Sequence, residues 1–194
     1  MPKVVVVYFS ATGVTARLAS AICEGAGTIA ETAVHRIEGS EIIDGRFRNE
    51  AALELVDSSD AVIFGSPTYM GGPAAQFKAF ADATGDRWSE RAWAQKVAAG
   101  FTTGTCANGD QGHTLAYFAV LASQHGMIWC NLDIPGGQDP LNRNRLGTQM
   151  GVSSQSVDGL VLPADLLTGQ HLGKLVASLS VRLVSPILRV TSAA

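Results

Sequence analysis

The sequence predicts an α/β protein in which helices cover both faces of a doubly wound, five-stranded parallel sheet with the strand order 2-1-3-4-5. Three observations lead to this fold class. Short apolar runs suit strands that are buried on both faces, the longer segments between them have helical spacing, and turn-forming residues separate the two. Alternation of strands and helices at these lengths favours a parallel sheet. At 194 residues, the chain is expected to form one domain over residues 1–194.

The strands are predicted from runs of five or six mainly apolar residues. The first run, VVVVYF, is apolar throughout and ends abruptly in a hydroxyl-rich segment. AVHRI, AVIFG, KVAAGF and MIWCNL follow it at intervals that leave room for helices. These runs predict strands over residues 4–9, 33–37, 61–65, 96–101 and 127–132.

The helices are predicted from apolar spacing and from stop signals. After the first strand, Val14, Leu18 and Ile22 share one helix face, and Gly25 and Gly27 are expected to end the helix. The polar stretch from about residue 133 to 162 is too long for a simple connection and is expected to flank the functional site. Further helices are predicted over residues 50–58, 74–83, 113–125 and about 163–183, with Asp165 in the first turn of the last one.

The segment SATGVT, residues 10–15, is a candidate phosphate-binding loop. It joins a buried strand to a helix N-terminus, where unpaired N–H groups and the positive end of the helix dipole attract anions. Three hydroxyls and Gly13 lie within it, and neither a dinucleotide fingerprint nor a P-loop follows any strand. A hydroxyl-lined loop without a cationic side chain suits a phosphate monoester, and FMN is the leading candidate. The alternative is an ordinary turn that is rich in helix-capping residues.

Three segments with unusual composition follow neighbouring strands of the predicted sheet. They are residues 10–15, 66–73 and 102–112, after the first, third and fourth strands. Ligands of such sheets bind at the carboxyl ends of the strands, beside the point where the strand order reverses. We therefore expect a planar flavin ring to lie across the second and third segments, whose glycines allow close approach of the backbone.

Composition argues against several functional classes. The net charge of −3 and the lack of a basic stretch give no electrostatic reason to expect a nucleic-acid partner. No run of 18 apolar residues predicts a membrane span, and no signal peptide precedes the first strand, so a cytoplasmic location is expected. The three cysteines show no CxxC spacing, and no metal-ligand pattern stands out, so neither a disulfide framework nor a metal site is predicted.

Three blocks of the chain resemble the flavodoxin-like quinone reductases of the tryptophan-repressor-binding-protein family. They are SATGVT, GSPTYMGGPAAQFKAFADATGDRW over residues 65–88, and FTTGT over 101–105 together with QHGM over 124–127. The resemblance implies a flavodoxin-like fold with bound FMN. It also implies two-electron transfer from NAD(P)H, the co-substrate, to a small-molecule quinone by a ping-pong mechanism, in a homotetramer or homodimer with flavin sites at subunit contacts. The apolar residues Val184, Ile187, Leu188 and Val190 near the carboxyl terminus suit such an interface, or alternatively cover the sheet.

Carried over by position, the resemblance assigns roles to individual residues. His125 is implied as a catalytic residue at the pyrimidine edge of the flavin, reached from another subunit, and Trp88 is implied to cover the substrate. The residues implied to hold the FMN phosphate are Ser10, Ala11, Thr12, Gly13, Val14 and Thr15. Those implied to line the flavin are Pro67, Thr68, Tyr69, Met70, Gly71, Thr102, Thr103, Gly104, Thr105, Cys106 and Ala107.

Several alternatives stay open at the level of sequence. Trp88 could close the core under a loop, His125 could complement the dipole at a helix end, and Cys106 could be a bystander. For the whole protein, the alternatives are a flavodoxin-type one-electron carrier and a flavin-free interaction module. The small net charge argues against a carrier with a strongly acidic docking face, and the hydroxyl-rich loop argues against loss of the flavin.

Overall fold

The computed structural model describes residues 1–107 and 109–184 and confirms the predicted α/β architecture. Helices flank a central sheet that is mainly parallel. In chain order, the strands are β1 (Lys3–Phe9), β2 (Glu31–Ile37), β3 (Ile42–Ile43), β4 (Arg46–Phe47), β5 (Ala61–Tyr69), β6 (Gly72–Pro73), β7 (Val97–Gly104), β8 (Ile128–Trp129), β9 (Val152–Val157) and β10 (Leu160–Val161). The helices are α1 (Val14–Gly27), α2 (Glu50–Asp57), α3 (Ala75–Asp82), α4 (Gly85–Ser89), α5 (Gln111–Gln124) and α6 (Pro163–Val184), with a 3₁₀ turn over Gly39–Glu41.

The sheet has the predicted strand order. Its main path runs β10-β9-β7-β5-β1-β2. The first four predicted strands correspond to β1, β2, β5 and β7, so they lie in the predicted order 2-1-3-4, with the fifth position next to β7. β1 is parallel to both β2 and β5, and β7 is parallel to β5. The short strands β6 and β10 add antiparallel pairs to β5 and β9, while β3 and β4 form a separate hairpin. The strand order reverses beside β1, which places the expected ligand edge at the ends of β1 and β5.

The predicted fifth strand is wrong in one respect, because two separate segments fill that position. β8 pairs only with the start of β7, at Val97 and Ala98, and the chain then leaves the sheet. β9 returns to pair with the end of β7, from Phe101 to Gly104. The sequence did not predict β9, whose residues are VSSQSV, because hydroxyl side chains are typical of loops. Ser153 and Ser154 are nevertheless buried. The segment over residues 133–162 therefore contains β9 and β10 as well as a polar connection.

The third and fourth strands continue further than predicted. β5 extends to Tyr69 and β7 to Gly104, and the two remain paired up to Pro67 and Thr103. β1 pairs with β5 only as far as Gly65, and β6 pairs with it only from Thr68, so neither strand is paired with this edge of β5 at Ser66 and Pro67. A proline is tolerated at such an edge because no neighbouring strand needs its missing N–H. The segments predicted as loops after residues 65 and 101 are thus partly strand.

The valines of β1 pack into two cores, one on each face of the sheet. Val5 and Val7 belong to one core, whereas Val4 and Val6 belong to the other. This alternation confirms that the run is buried on both sides. The first core contains the largest side chains, with Phe64, Phe77, Phe80, Trp93 and Phe118 fully buried. The second is closed by residues of α1 and α6, chiefly Leu18, Ile22, Leu172 and Val176.

Two glycines set the close contact between α1 and α6. A Cβ on Gly25 would lie 1.9 Å from the carbonyl oxygen of Gln170, and a Cβ on Gly173 would lie 2.0 Å from that of Ile22. Gly25 and Gly27 were expected to end α1; the helix ends at Gly27 as predicted, whereas Gly25 lies within it and serves this contact. α6 begins at Pro163 as predicted. The structure does not describe three of the predicted interface residues, Ile187, Leu188 and Val190, or the side chain of the fourth, Val184. Asn108 also lies outside the described residues.

Candidate functional site

A cavity of about 300 Å³ lies where β1, β5 and β7 end. The structure therefore brings together the three segments that the sequence singled out, at the edge where a doubly wound sheet binds its ligand. β9, which the sequence did not predict, contributes a further residue. The cavity is lined by Ala11, Thr12, Val14, Thr15, Pro67, Thr68, Tyr69, Thr103, Gly104, Thr105 and Ser156.

The loop before α1 presents a set of unpaired backbone donors. Gly13 is the N-cap residue of α1 in the left-handed conformation, with φ +89°, and it has no side chain that could cap the helix. Within the described chain, no backbone N–H from Thr12 to Thr15 has a protein acceptor. Consecutive N–H groups in this conformation, at the positive end of a helix, form an anion-binding nest. This arrangement fits the phosphate of FMN.

Helix capping explains only one of the three hydroxyls in the loop. Ser10 is buried, and its Oγ accepts a hydrogen bond of 3.2 Å from the backbone N–H of Ala16. Ser10 therefore braces the loop and does not line the cavity. Thr12 is exposed, and Thr15 Oγ1 is 2.8 Å from Thr103 Oγ1 across the cavity edge. The capping alternative consequently accounts for Ser10 but leaves Thr12 and Thr15 unexplained.

A chain of threonine hydroxyls connects the strand ends behind the cavity. Thr102 Oγ1 donates to the carbonyl oxygen of Ser66 at 2.7 Å, so it must accept the 2.8 Å bond from Thr68. Thr68 then accepts from Thr114 Oγ1 of α5, also at 2.8 Å. Because each hydroxyl has one proton, the direction of all three bonds is determined. The hydroxyl of Thr102 is therefore structural, although its sequence position suggested contact with the flavin.

The hairpin between β5 and β6 forms the outer wall of the site. Its two central residues, Met70 and Gly71, have φ of +48° and +80°, as in a type I′ turn. Tyr69 and Met70 are exposed, so the interpretation of Tyr69 as a residue outside the core agrees with its position. His113 Nδ1 of α5 donates a hydrogen bond of 2.6 Å to the carbonyl oxygen of Gly71. The sequence did not indicate this contact, because the two residues are far apart in the chain.

The third segment is less involved in the cavity than predicted. Gly104 and Thr105 line it, whereas Cys106 and Ala107 are exposed beyond its lining. Gln155 of β9 donates from Nε2 to the carbonyl oxygen of Thr105 at 3.3 Å, which links β9 to this segment. The expectation that the region of residues 133–162 flanks the site thus agrees with the structure. The sequence predicted only a polar stretch over about residues 133–162, and it indicated neither β9 nor its contribution to the cavity.

His125 and Trp88 lie together at a second cavity of about 370 Å³, away from the first. Trp88 is 54% exposed, so the alternative that it closes the core is wrong. His125 is the C-cap residue of α5, and it packs on Trp93 with ring centroids 4.5 Å apart. Burial lowers the pKa of His125, so a neutral ring and not a cation sits at the helix end. Within one chain, neither residue reaches the first cavity.

The protonation of His125 follows from its neighbour. Thr84 Oγ1 donates its only proton to the carbonyl oxygen of Ala81 at 2.7 Å. It must therefore accept from His125 Nε2, which lies 2.9 Å away, so the proton of the neutral ring is on Nε2. Nδ1 is then a bare acceptor, and it is buried without a partner among the described residues. A buried acceptor in this condition is costly unless a ligand or another chain satisfies it.

The cysteines and possible metal ligands add no chemistry that the structure supports. Burial raises the pKa of both Cys23 and Cys130 to about 11, so these thiols stay protonated. Over residues 1–107 and 109–184, no group of three or more His, Cys, Asp or Glu side chains is placed to hold a metal ion. No helix in the described part of the chain is long and apolar enough to cross a membrane.

A parallel sheet of this order, with an anion-binding loop after its first strand, defines a flavodoxin-like class of protein, in which such a loop can hold the phosphate of a flavin. Residues 2–132 match the family model of the NADPH-dependent FMN reductases, and the chain belongs to this family. The match confirms the oxidoreductase class and the FMN cofactor that the sequence predicted.

Several known proteins are similar to this chain over most of its length. Flavodoxin FldP of Pseudomonas aeruginosa is 42% identical over 160 residues, which cover 80% of this chain and 82% of that protein. An NAD(P)H dehydrogenase (quinone) of Archaeoglobus fulgidus is 34% identical over 198 residues, covering 94% and 100%. The crystal structure of a WrbA-like flavodoxin from Agrobacterium tumefaciens has a TM-score of 0.74 and 36% identity, covering 94% and 99%. These similarities agree with the resemblance noted in the sequence.

Proposed function

We propose that the protein is an FMN-dependent reductase that transfers two electrons from NAD(P)H to a small-molecule quinone by a ping-pong mechanism. The unpaired N–H groups of residues 12–15, beside the cavity at the strand ends, carry the FMN part of the proposal. Membership of the FMN reductase family, and relatives named NAD(P)H dehydrogenase (quinone), support the rest. FMN, when bound, would accept hydride from the nicotinamide and deliver the electrons to the quinone.

The role of the chain is to bind and orient. Thr12 and Thr15 add hydroxyl donors to the backbone nest for the phosphate, while Ser10 braces the loop from behind. Residues 67–69 and 103–105 form walls of the cavity, and the threonine hydroxyls behind them connect the ends of β5 and β7. A preformed, rigid cavity of this kind lowers the entropic cost of binding a planar cofactor.

The second cavity is proposed to complete the active site of another subunit in a homotetramer or homodimer. Trp88 and Val120 expose large apolar surfaces at this cavity, and Nδ1 of His125 has no partner in the described chain. An interface with the flavin site of a second subunit would cover Trp88 and Val120 and offer a hydrogen-bond donor to Nδ1 of His125. The cytoplasmic location stays a prediction from the sequence.

A one-electron carrier is the second candidate, because the relative from Pseudomonas aeruginosa is named a flavodoxin. The two functions differ in their response to nicotinamide. A reductase has to bind NAD(P)H next to the flavin, whereas a carrier receives electrons from a protein partner. The small net charge of −3 provides little of the acidic surface that would steer such a partner.

One absorption experiment separates these candidates. The protein is mixed with FMN, desalted, made anaerobic, and then treated with NADPH or NADH followed by benzoquinone. Retained yellow colour that the nicotinamide bleaches and the quinone restores would support the reductase. Bound flavin that is indifferent to both nicotinamides would instead support the carrier, and failure to retain any flavin would contradict both.

A further inference from the structure

A cation from the neighbouring strand contacts the first residue of the phosphate loop. Arg36, near the end of β2, lies in register with Tyr8 of β1. Its Nη2 donates a hydrogen bond of 2.9 Å to the carbonyl oxygen of Ser10. Its Nε lies 3.3 Å from Oε1 of Glu38, and the Arg36 side chain is 43% exposed. The guanidinium therefore bridges the phosphate loop and an acidic side chain at the surface.

This hydrogen bond orients the first peptide of the loop. The peptide group is planar and trans, so the carbonyl of Ser10 and the N–H of Ala11 point in opposite directions. With the carbonyl directed at Arg36, the N–H of Ala11 points away from the guanidinium. Ala11 lines the first cavity, and its N–H, like those of residues 12–15, has no acceptor among the described residues. Arg36 thus holds the orientation of the peptide that carries the first of these unpaired N–H groups.

Arg36 also supplies charge that the loop itself lacks. Residues 10–15 contain no lysine or arginine, so any cationic side chain has to come from another element. A phosphate monoester carries between one and two negative charges near neutral pH. A guanidinium on the backbone of the binding loop attracts it through partly exposed surroundings, where salt weakens but does not abolish the interaction.

We propose that Arg36 is a positioning residue for the phosphate loop that makes the site prefer FMN over flavins without a phosphate, such as riboflavin. The proposal rests on the FMN function proposed above. Glu38 opposes this effect, because its carboxylate competes for the same guanidinium and repels the phosphate. The two residues therefore have opposite expected effects on the same affinity, which a purely structural role for Arg36 does not produce.

The test is a fluorescence titration of the flavin-free protein with FMN and, separately, with riboflavin. Arg36→Gln should weaken FMN binding about tenfold and leave riboflavin binding within about twofold, as expected for one lost charge interaction near the surface. Glu38→Gln should strengthen FMN binding about twofold or more. Arg36→Lys, which keeps the charge, should recover part of the lost affinity. Higher salt should reduce the difference between wild type and Arg36→Gln.

Arg46→Gln is the matched control. Arg46 is exposed on β4, at a cavity formed with α2 and α3, and its replacement removes the same charge away from the phosphate loop. This variant should bind both flavins as the wild type does. Equal FMN affinity of the Arg36 and Arg46 variants, or an equal loss of FMN and riboflavin binding in Arg36→Gln, would overturn the proposal. A wild type that binds FMN with no preference over riboflavin would overturn it while leaving the reductase function intact, and one that binds neither flavin would overturn both.

Discussion

Replacing Asp165 with asparagine tests how α6 is tied to the edge of the cavity. The carboxylate of Asp165 accepts hydrogen bonds from Nε and Nη2 of Arg145 at 2.8 and 3.0 Å. It also accepts from Ser154 Oγ and from the backbone N–H of Gln155, both at 3.0 Å. Asp165 was expected to serve the start of the helix, but these contacts show that it anchors β9, the strand that brings Ser156 to the cavity.

The expected loss of stability follows from the burial of this pair. The side chains of Asp165 and Arg145 are 2% and 18% exposed. The amide oxygen of asparagine can replace Oδ2, which accepts three of these four hydrogen bonds. The substitution nevertheless removes the negative charge, and it places an amide NH₂ group against Nε of Arg145, which donates to Oδ1. Breaking a buried pair from one side costs about 3 to 5 kcal/mol, and the residual exposure of Arg145 places Asp165→Asn near the lower limit, about 3 kcal/mol. Urea unfolding of flavin-free protein, followed by tryptophan fluorescence, measures this loss.

Two further variants make the test specific. Asp82 pairs with Lys78 on α3, and both side chains are about half exposed, at 48% and 49%. Asp82→Asn should therefore cost less than about 0.5 kcal/mol. Arg145→Met combined with Asp165→Asn should show a coupling energy of about 2 kcal/mol, because the double variant contains no unpaired buried charge. A loss below about 1 kcal/mol in Asp165→Asn would refute the reasoning.

The remaining predictions concern the two cavities. Thr12→Val should weaken FMN binding about threefold to tenfold without changing stability. Thr15→Val should weaken FMN binding and also lower the free energy of unfolding by about 1 to 2 kcal/mol, since the buried Thr103 loses its partner. Unchanged FMN affinity in both variants would contradict the phosphate site. Trp88→Ala should retain FMN and change benzoquinone kinetics, with less than about 0.5 kcal/mol lost on urea unfolding, because the side chain is exposed. Burial lowers the pKa of His125 from 6.5, so the unfolded chain binds this proton at a higher pH than the folded one does. The free energy of unfolding should thus fall as pH drops below about 6.5, and His125→Gln should flatten that part of the profile; parallel profiles would count against this assignment.

The two central strands of the sheet, β1 and β5, were predictable because each contains an uninterrupted apolar run. VVVVYF and AVIFG are buried on both faces, so apolar character alone identifies them. The strand β9, which lies between β7 and β10, could not be predicted in this way. Its buried Ser154 is stabilised by the carboxylate of Asp165, a contact that exists only after α6 has packed against the sheet. A pattern of apolar residues cannot predict a strand whose burial depends on a polar partner.

The candidate site was predictable to the extent that it depends on single loops. The loop of residues 10–15 combines a buried strand, a glycine and a helix start within one short segment, so its geometry is local. Arg36 and Ser156 reach the same region from β2 and β9. Their positions depend on strand register and on the split fifth strand, which the sequence does not specify by itself. The contact of His113 with Gly71 is of the same kind, because α5 must first dock beside the hairpin.

The separation of the two cavities bears directly on how quinone reduction would work. The first cavity contains the loop and walls for a flavin, whereas Trp88 and His125 surround the second. Large apolar side chains are exposed to water at both places: Tyr69 and Met70 at the hairpin, and Trp88 and Val120 at the second cavity. In the homotetramer or homodimer proposed above, these are the side chains that an interface would cover. An assembly that brings the second cavity of one chain against the hairpin of another would cover these side chains and give His125 Nδ1 a donor. In the proposed reductase, the active site would therefore be completed by the formation of the oligomer.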